Sequence, residues 1–147
     1  MKELLYLKDD QIKDFIQLIS HAYRETFSDP KKILAEKFFG LAHLRAISLV
    51  EKNPGISVSE LMFKLKITKQ SLNRVVRDLI KSKMIKQIKN DNDTRKKNLY
   101  LNKEGVVFFN KVYESQKKRI FNALKSSEPE SVVKFKDILD RIVNGQK

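Results

Sequence analysis

Between positions 68 and 96 the chain gathers side chains of the types that bond base edges and phosphates. Thr68, Lys69, Gln70, Ser71, Asn73, Arg74, Arg77 and Lys81 are spaced to lie at the start or on the polar face of one helix. Gln and Asn amides can pair with adenine edges, Arg with guanine, and Lys or Arg with phosphate oxygens. A second group, Asp93, Arg95 and Lys96, sits in a short polar loop downstream. An arginine near the tip of a hairpin suits a narrow minor groove, where A·T tracts concentrate negative potential. The competing reading of both groups is a solvated helix face and an exposed loop.

Other chemistry is sparse. His21 and His43 are the only side chains that ordinarily titrate near neutrality, and they fall on different predicted helices. There is no glycine-rich phosphate loop, nucleophile elbow or His/Glu metal motif. Asp9-Asp10 reads as a helix start rather than a metal pair. The chain contains no cysteine, so disulfides, thiolate metal sites and thiol redox switches are excluded. These features argue against an enzyme and imply no cofactor or metal.

The elements that must position the polar groups are well marked. Leu72, Val75, Val76, Leu79 and Ile80 recur at the spacing of one buried helical face, and Thr68 is a natural N-cap. Upstream, SVSELMFKLK opens on an S-x-x-E capping box, Ser57 with Glu60, and carries the stripe Val58, Leu61, Met62, Leu65. Ile67-Thr68 makes a sharp turn. Downstream, MIKQIK and KNLYL flank the loop NDNDTRK, and Lys97, Leu99 and Leu101 alternate with polar neighbours as in a half-buried strand. Helix, tight turn, helix and hairpin is the order of a winged helix-turn-helix. The expected fold is therefore mainly α with a small β-hairpin wing.

The remainder reads as helices around that unit. A first helix starts at Asp9 or Asp10 with the stripe Ile12, Phe15, Ile16, Ile19, Tyr23 and Phe27; Leu18 lies off it. Ser28-Asp29-Pro30 ends it, Lys31 to Lys37 forms a short helix, and Phe38-Phe39-Gly40 breaks that. Leu41 to Lys52 is central, and Asn53-Pro54-Gly55 stops it. Asn102 caps the longest helix, with Gly105 in its first turn and Val106, Phe109, Val112, Tyr113, Ile120, Ala123 and Leu124 on its face. Ser127 and Glu130 suggest a second capping box before the stripe Val132, Phe135, Ile138, Leu139, Ile142, Val143. Residues 1–147 then form one protomer, with a reader at 41–101 and helical dimerisation regions at 1–40 and 102–147. The terminal helices offer more apolar surface than the reader can cover, and a two-fold homodimer would bury it. Its two recognition helices would read a palindrome with half-sites spaced ~10 base pairs.

The charge agrees. The 147 residues carry 31 Lys and Arg against 18 Asp and Glu, a formal +13, which fits a polyanion partner. Double-stranded DNA is the expected one. A non-specific nucleoid-associated protein is the alternative, because non-specific affinity is mostly counterion release. No apolar run is long enough to span a bilayer and no N-terminal signal pattern appears, so no membrane partner and a cytoplasmic location are expected.

The run from Leu49 to Gly105 resembles the reader of the MarR family of bacterial transcription regulators. The most specific piece is D-x-R, here Asp93-Thr94-Arg95, followed by a strand and by Asn102 to Gly105. The upstream stretch AYRETFSDPKKILAEKFFGLAHLRA is similar to the PetP-type subfamily, and the resemblance covers about Leu7 to Arg119. It departs at Lys83, where the family usually has Gly, and at Asn102, where it usually has Thr. The resemblance implies an obligate dimer knitted by the terminal helices. It also implies a small aromatic or anionic effector held between those helices and the reader. Tyr23, Phe27, Phe38, Phe39 and His43 could line that space; core or interface packing is the competing reading of the same residues. The subfamily implies redox-linked target genes, but with no cysteine this chain cannot sense by thiol oxidation.

Overall fold

The computed structural model describes residues 4–145. A 3-10 turn, Leu5–Leu7, leads into α1 (Asp9–Ser28), α2 (Lys31–Glu36) and α3 (Leu41–Lys52). Then come β1 (Ile56–Ser57), α4 (Val58–Leu65), α5 (Lys69–Lys81), β2 (Ile85–Lys89), β3 (Lys97–Leu101), α6 (Lys103–Lys125) and α7 (Pro129–Asn144). The fold is the expected one, mainly helical with a hairpin wing. The hairpin gains a third strand that the sequence did not announce. β1 pairs antiparallel with β3, Ile56 opposite Leu99, giving the order β1-β3-β2. Gly55 N–H also donates to Leu99 O at 2.8 Å. Two residues pressed against a helix start are too short to show a period of two.

One apolar core holds the reader. Leu44, Ala46, Ile47 and Val50 of α3 meet Leu61 and Leu65 of α4 and Leu72, Val75, Val76 and Leu79 of α5. Ile56, Ile85 and Leu99 of the sheet close it, with Met84, Leu34, Phe39, Phe108 and Val112. The central place of α3 is as its multi-sided apolar pattern implied. Ile80 is a correction: it is 38% exposed, because it lies on the flank of α5 that faces the wing.

Three further expectations change. Asn102 is the residue before α6, but its side chain does not cap the helix. Its amide instead donates to Lys83 O (3.1 Å) and Ile85 O (3.2 Å), and its backbone N–H to Met84 O (2.9 Å). The amide is more useful across the wing base, where buried carbonyls need donors. Ser127 and Glu130 form no capping box: α7 starts at Pro129 after Glu128, and Ser127 Oγ bonds back to Ala123 O. Finally, α6 meets the core through Gly105, Phe108 and Val112, three and four residues apart, with Phe109 packed beside them; of the expected stripe only Val112 and Phe109 take part. Val106, Tyr113, Ile120 and Leu124 remain substantially exposed.

Two backbone positions matter for the site. Lys66 ends α4 in the left-handed region (φ 54°), and Lys83 makes the bend after α5 with φ 62°. Lys83 N–H bonds Ile80 O, and Met84 N–H bonds Leu79 O. A non-glycine residue in that region carries roughly 1 kcal/mol of strain. Lys83→Gly should therefore be neutral or stabilising by up to about 1 kcal/mol, less what glycine adds to unfolded-chain entropy. Chemical denaturation of the two proteins checks it.

α1 and α7 have no buried residue at all. Phe15, Ile16, Leu18 and Ile19 on α1, and Phe135, Ile138 and Ile142 on α7, are exposed. α1 is held to α6 by a bidentate pair, Arg119 Nε to Asp29 Oδ2 (2.8 Å) and Nη2 to Oδ1 (3.0 Å). That hydrogen bonding, with the guanidinium charge, keeps the Asp29 carboxyl below the usual carboxylate range. Among the described residues no helix is long and apolar enough to cross a membrane.

Candidate nucleic-acid interface

Residues 41–101 carry 14 Lys and Arg against 5 Asp and Glu, so most of the positive excess belongs to the reader. Its recognition helix begins as the sequence predicts. Thr68 Oγ1 accepts the Ser71 backbone N–H at 3.1 Å and donates to Ser71 Oγ at 2.9 Å. At α4, Ser57 Oγ accepts the Glu60 N–H at 3.1 Å, the N-cap half of the expected box. Arg45 of α3 braces the turn between the helices by donating to Leu65 O at 3.1 Å.

With the apolar face of α5 buried, Lys69, Gln70, Asn73, Arg74, Arg77 and Lys81 are all exposed. An open cleft of about 1020 Å³ runs between this helix and the wing. Lys69, Asn73, Arg77 and Lys81 line one side, and Arg95, Lys96 and Lys97 the other. Its floor is Val58, Val76 and Ile80. Thr68, Gln70, Ser71 and Arg74 lie outside the cleft lining, at the helix start and on the adjoining exposed surface. Among the described residues no salt bridge neutralises Lys69, Arg74, Arg77, Lys81, Arg95 or Lys96. Such a cleft of unpaired cations beside amide side chains is built for a polyanion with readable edges.

Sequence reasoning missed five polar lining residues: Ser57, Ser59, Glu60, Gln87 and Lys97. Ser57 was visible only as a cap. Gln87 and Lys97 belong to strands whose partners determine which way they face. Gln87 stands opposite Leu99, and Lys97 opposite Lys89.

The wing loop is braced by its own side chains. Asn90 Oδ1 accepts from Asn92 N–H (2.9 Å) and Asp93 N–H (3.3 Å), and Asp93 Oδ1 accepts from Arg95 N–H (3.0 Å). Asp93 thus sets the backbone that presents Arg95.

The aromatic set expected at an effector site divides between two groups of ring contacts and one exposed ring. Phe39 is buried, stacks on His43 (4.9 Å, 19°) and meets Phe108 edge-on at 5.6 Å. Tyr23 and Phe27 pair with each other on α1 at 4.7 Å, and Phe38 is 95% exposed. Phe39 is thus a core residue, as the competing reading had it. A smaller cavity of about 380 Å³ between α1 and α6 is lined by Phe27, Tyr113, Gln116 and Ile120.

A capped helix laid beside an antiparallel wing, with the cations of both lining one cleft, defines a winged helix-turn-helix DNA-binding protein. The comparisons narrow the class. Residues 39–96 match the model of the MarR family. The HTH-type transcriptional regulator PetP of Rhodobacter capsulatus is 35% identical over 141 residues, covering 96% of this chain and 85% of that one. A MarR-family transcriptional regulator from Silicibacter pomeroyi superposes with a TM-score of 0.78 at 14% identity, over 99% of this chain and 97% of its own. NadR in complex with 4-hydroxyphenylacetate gives 0.76 at 20% identity, over 99% and 100%. The chain belongs to the MarR family, and it is a DNA-binding transcriptional regulator of that type.

Proposed function

We propose that the protein is a homodimer that reads a palindromic operator, with α5 in the major groove and the wing in the adjacent minor groove. The observation that carries this is the cleft: Lys69, Arg77 and Lys81 of α5 and Arg95, Lys96 and Lys97 of the wing line one shared space against the single carboxylate of Glu60. In this reading Gln70, Ser71, Asn73 and Arg74 reach bases or nearby phosphates. Lys69, Arg77, Lys81 and Lys96 hold the backbone, Thr68 and Asp93 set the geometry, and Arg95 enters the minor groove. Residues 41–101 are the reader, and 1–40 with 102–147 the dimerising arms. The exposed apolar faces of α1 and α7 support the dimer, because a second copy is the economical way to bury them. We read the chain as a binding protein of the cytoplasmic nucleoid rather than an enzyme.

An effector between the arms and the reader is part of the proposal. NadR was solved with 4-hydroxyphenylacetate, a small aromatic anion. Phe39 is buried and His43 is bonded at both ring nitrogens, so Tyr23, Phe27 and Phe38 are the members of the aromatic set with surface to offer such a space.

The test is the ratio of operator to random-sequence affinity at one fixed salt, with sedimentation in parallel. A large ratio on a dimer supports the reading; a ratio near one would favour a non-specific nucleoid protein. A folded monomer at micromolar concentration would remove the palindrome argument. Arg95→Ala should weaken operator binding by about 1–3 kcal/mol per half-site and flatten the salt slope by roughly one charge per wing, about two per dimer, with the dimer unchanged. Titrations at several salt concentrations read both quantities. Unchanged affinity at moderate salt would exclude the wing from the contact.

A further inference from the structure

We propose that His43 is a positioning residue for DNA reading: its two ring nitrogens tie the recognition helix to the junction where the chain passes from α2 into the reader. The inference rests on the proposed role of α5. Gly40 N–H donates to His43 Nδ1 at 3.0 Å, and His43 Nε2 lies 2.9 Å from Asp78 Oδ2. Because Nδ1 accepts, the ring proton must be on Nε2, and Nε2–H donates to the carboxylate. The ring is therefore neutral and held in one tautomer. Its side chain is only 13% exposed, fixed in plane by the stack on Phe39, which is itself wedged against Phe108 of α6.

The apolar contacts of α5 are non-directional and by themselves specify no single donor–acceptor geometry. The bond to Asp78 is directional and charge-assisted, and it acts on the helix that presents Asn73, Arg74 and Arg77. It has a second effect. Asp78 is one turn beyond Arg74 and next to Arg77, and the charges of both already bear on it. Held by His43, the carboxylate is kept to the α3 side; released, it is free to pair with Arg74 at i,i+4 and draw that side chain from DNA. A junction rearranged by a partner or ligand would be felt at Gly40, then at His43, then at α5.

Three variants and one spectrum test this. His43→Asn keeps an acceptor near the Gly40 N–H but lacks the distal donor. Asp78→Ala removes the same bond from the other side, and Asp78→Asn keeps an acceptor for Nε2–H. The probe is the duplex that wild-type protein selects from a randomised pool, against a scrambled duplex, with melting midpoints measured beside it. His43→Asn and Asp78→Ala should each lower the selected-to-scrambled ratio about tenfold, and the double variant no further. Asp78→Asn should stay within about threefold of wild type. Nitrogen-15 spectra of wild type at neutral pH should show the Nε2–H tautomer at His43. Additive losses, a loss that only tracks the melting midpoint, an unchanged ratio, or an Nδ1–H ring would each overturn the proposal. Wild-type protein that selects no sequence would instead overturn the reading of α5, while the spectrum still decides the tautomer.

Discussion

Alanine at both Asn73 and Arg74 is expected to erase most of the preference for operator over random DNA while leaving the fold intact. Each side chain is exposed on the middle turn of α5, and the intervening fold is carried by Leu72, Val75 and Val76 beneath them. Among the described residues neither makes a hydrogen bond or salt bridge within the protomer, so removal strands no buried group. Alanine also favours the helix. A well-placed bidentate contact to a base discriminates by about 1–3 kcal/mol, so the pair should account for roughly 2–6 kcal/mol in each half-site. That corresponds to a loss of roughly 30-fold or more per half-site in the specificity ratio. Random-sequence affinity should fall only by the charge lost at Arg74, one per protomer and two per dimer. Equal losses on both duplexes would place these residues on the phosphate backbone instead.

Gly105→Ala should cost about 3 kcal/mol of stability, and its sign is the informative part. In an ordinary helix the same change stabilises by roughly 1 kcal/mol. Here a Cβ would overlap the carbonyl of Met84, which is backbone rather than a movable side-chain end. That carbonyl is already held by Asn102 N–H, and the Asn102 amide grips the carbonyls on either side of it. The start of α6 and the base of the wing are thus stitched together at van der Waals distance. Forcing them apart is overpacking against a fixed wall. About 3 kcal/mol corresponds to a melting midpoint lower by roughly 10 °C. A neutral or higher midpoint would mean that α6 and Met84 are not in contact.

The wing would be displaced in the same variant, so operator affinity should fall beyond the loss explained by unfolding. Arg95→Ala, which leaves the wing in place, offers the comparison.

How much of this could be read beforehand differed by element. The buried face of α5, its Thr68 cap and the Ser57 bond follow from local spacing, and local spacing survives folding. The wing was legible because turn residues separate two alternating segments. β1 was not, since two residues have no measurable period. α6 defeated the reading in another way. It carries apolar residues on two sides, and periodicity alone does not say which side meets the reader; Phe108 does, and of the longer stripe only Val112 and Phe109 do. Asn102 was assigned its common local role when a cross-chain one was available. The His43–Asp78 bond joins residues 35 positions apart and leaves no trace in spacing. Of the expected DNA contacts, six line one cleft; of the expected effector residues, Phe39 packs in the core instead.

The most direct test of the central claim is a selection of bound fragments from sheared DNA of the source organism, using the purified 147-residue chain at near-physiological salt. The account predicts enrichment of an inverted repeat whose half-sites lie ~10 base pairs apart, one for each recognition helix of a dimer. Retention of fragments with no enriched motif, with and without added cell extract, would contradict it.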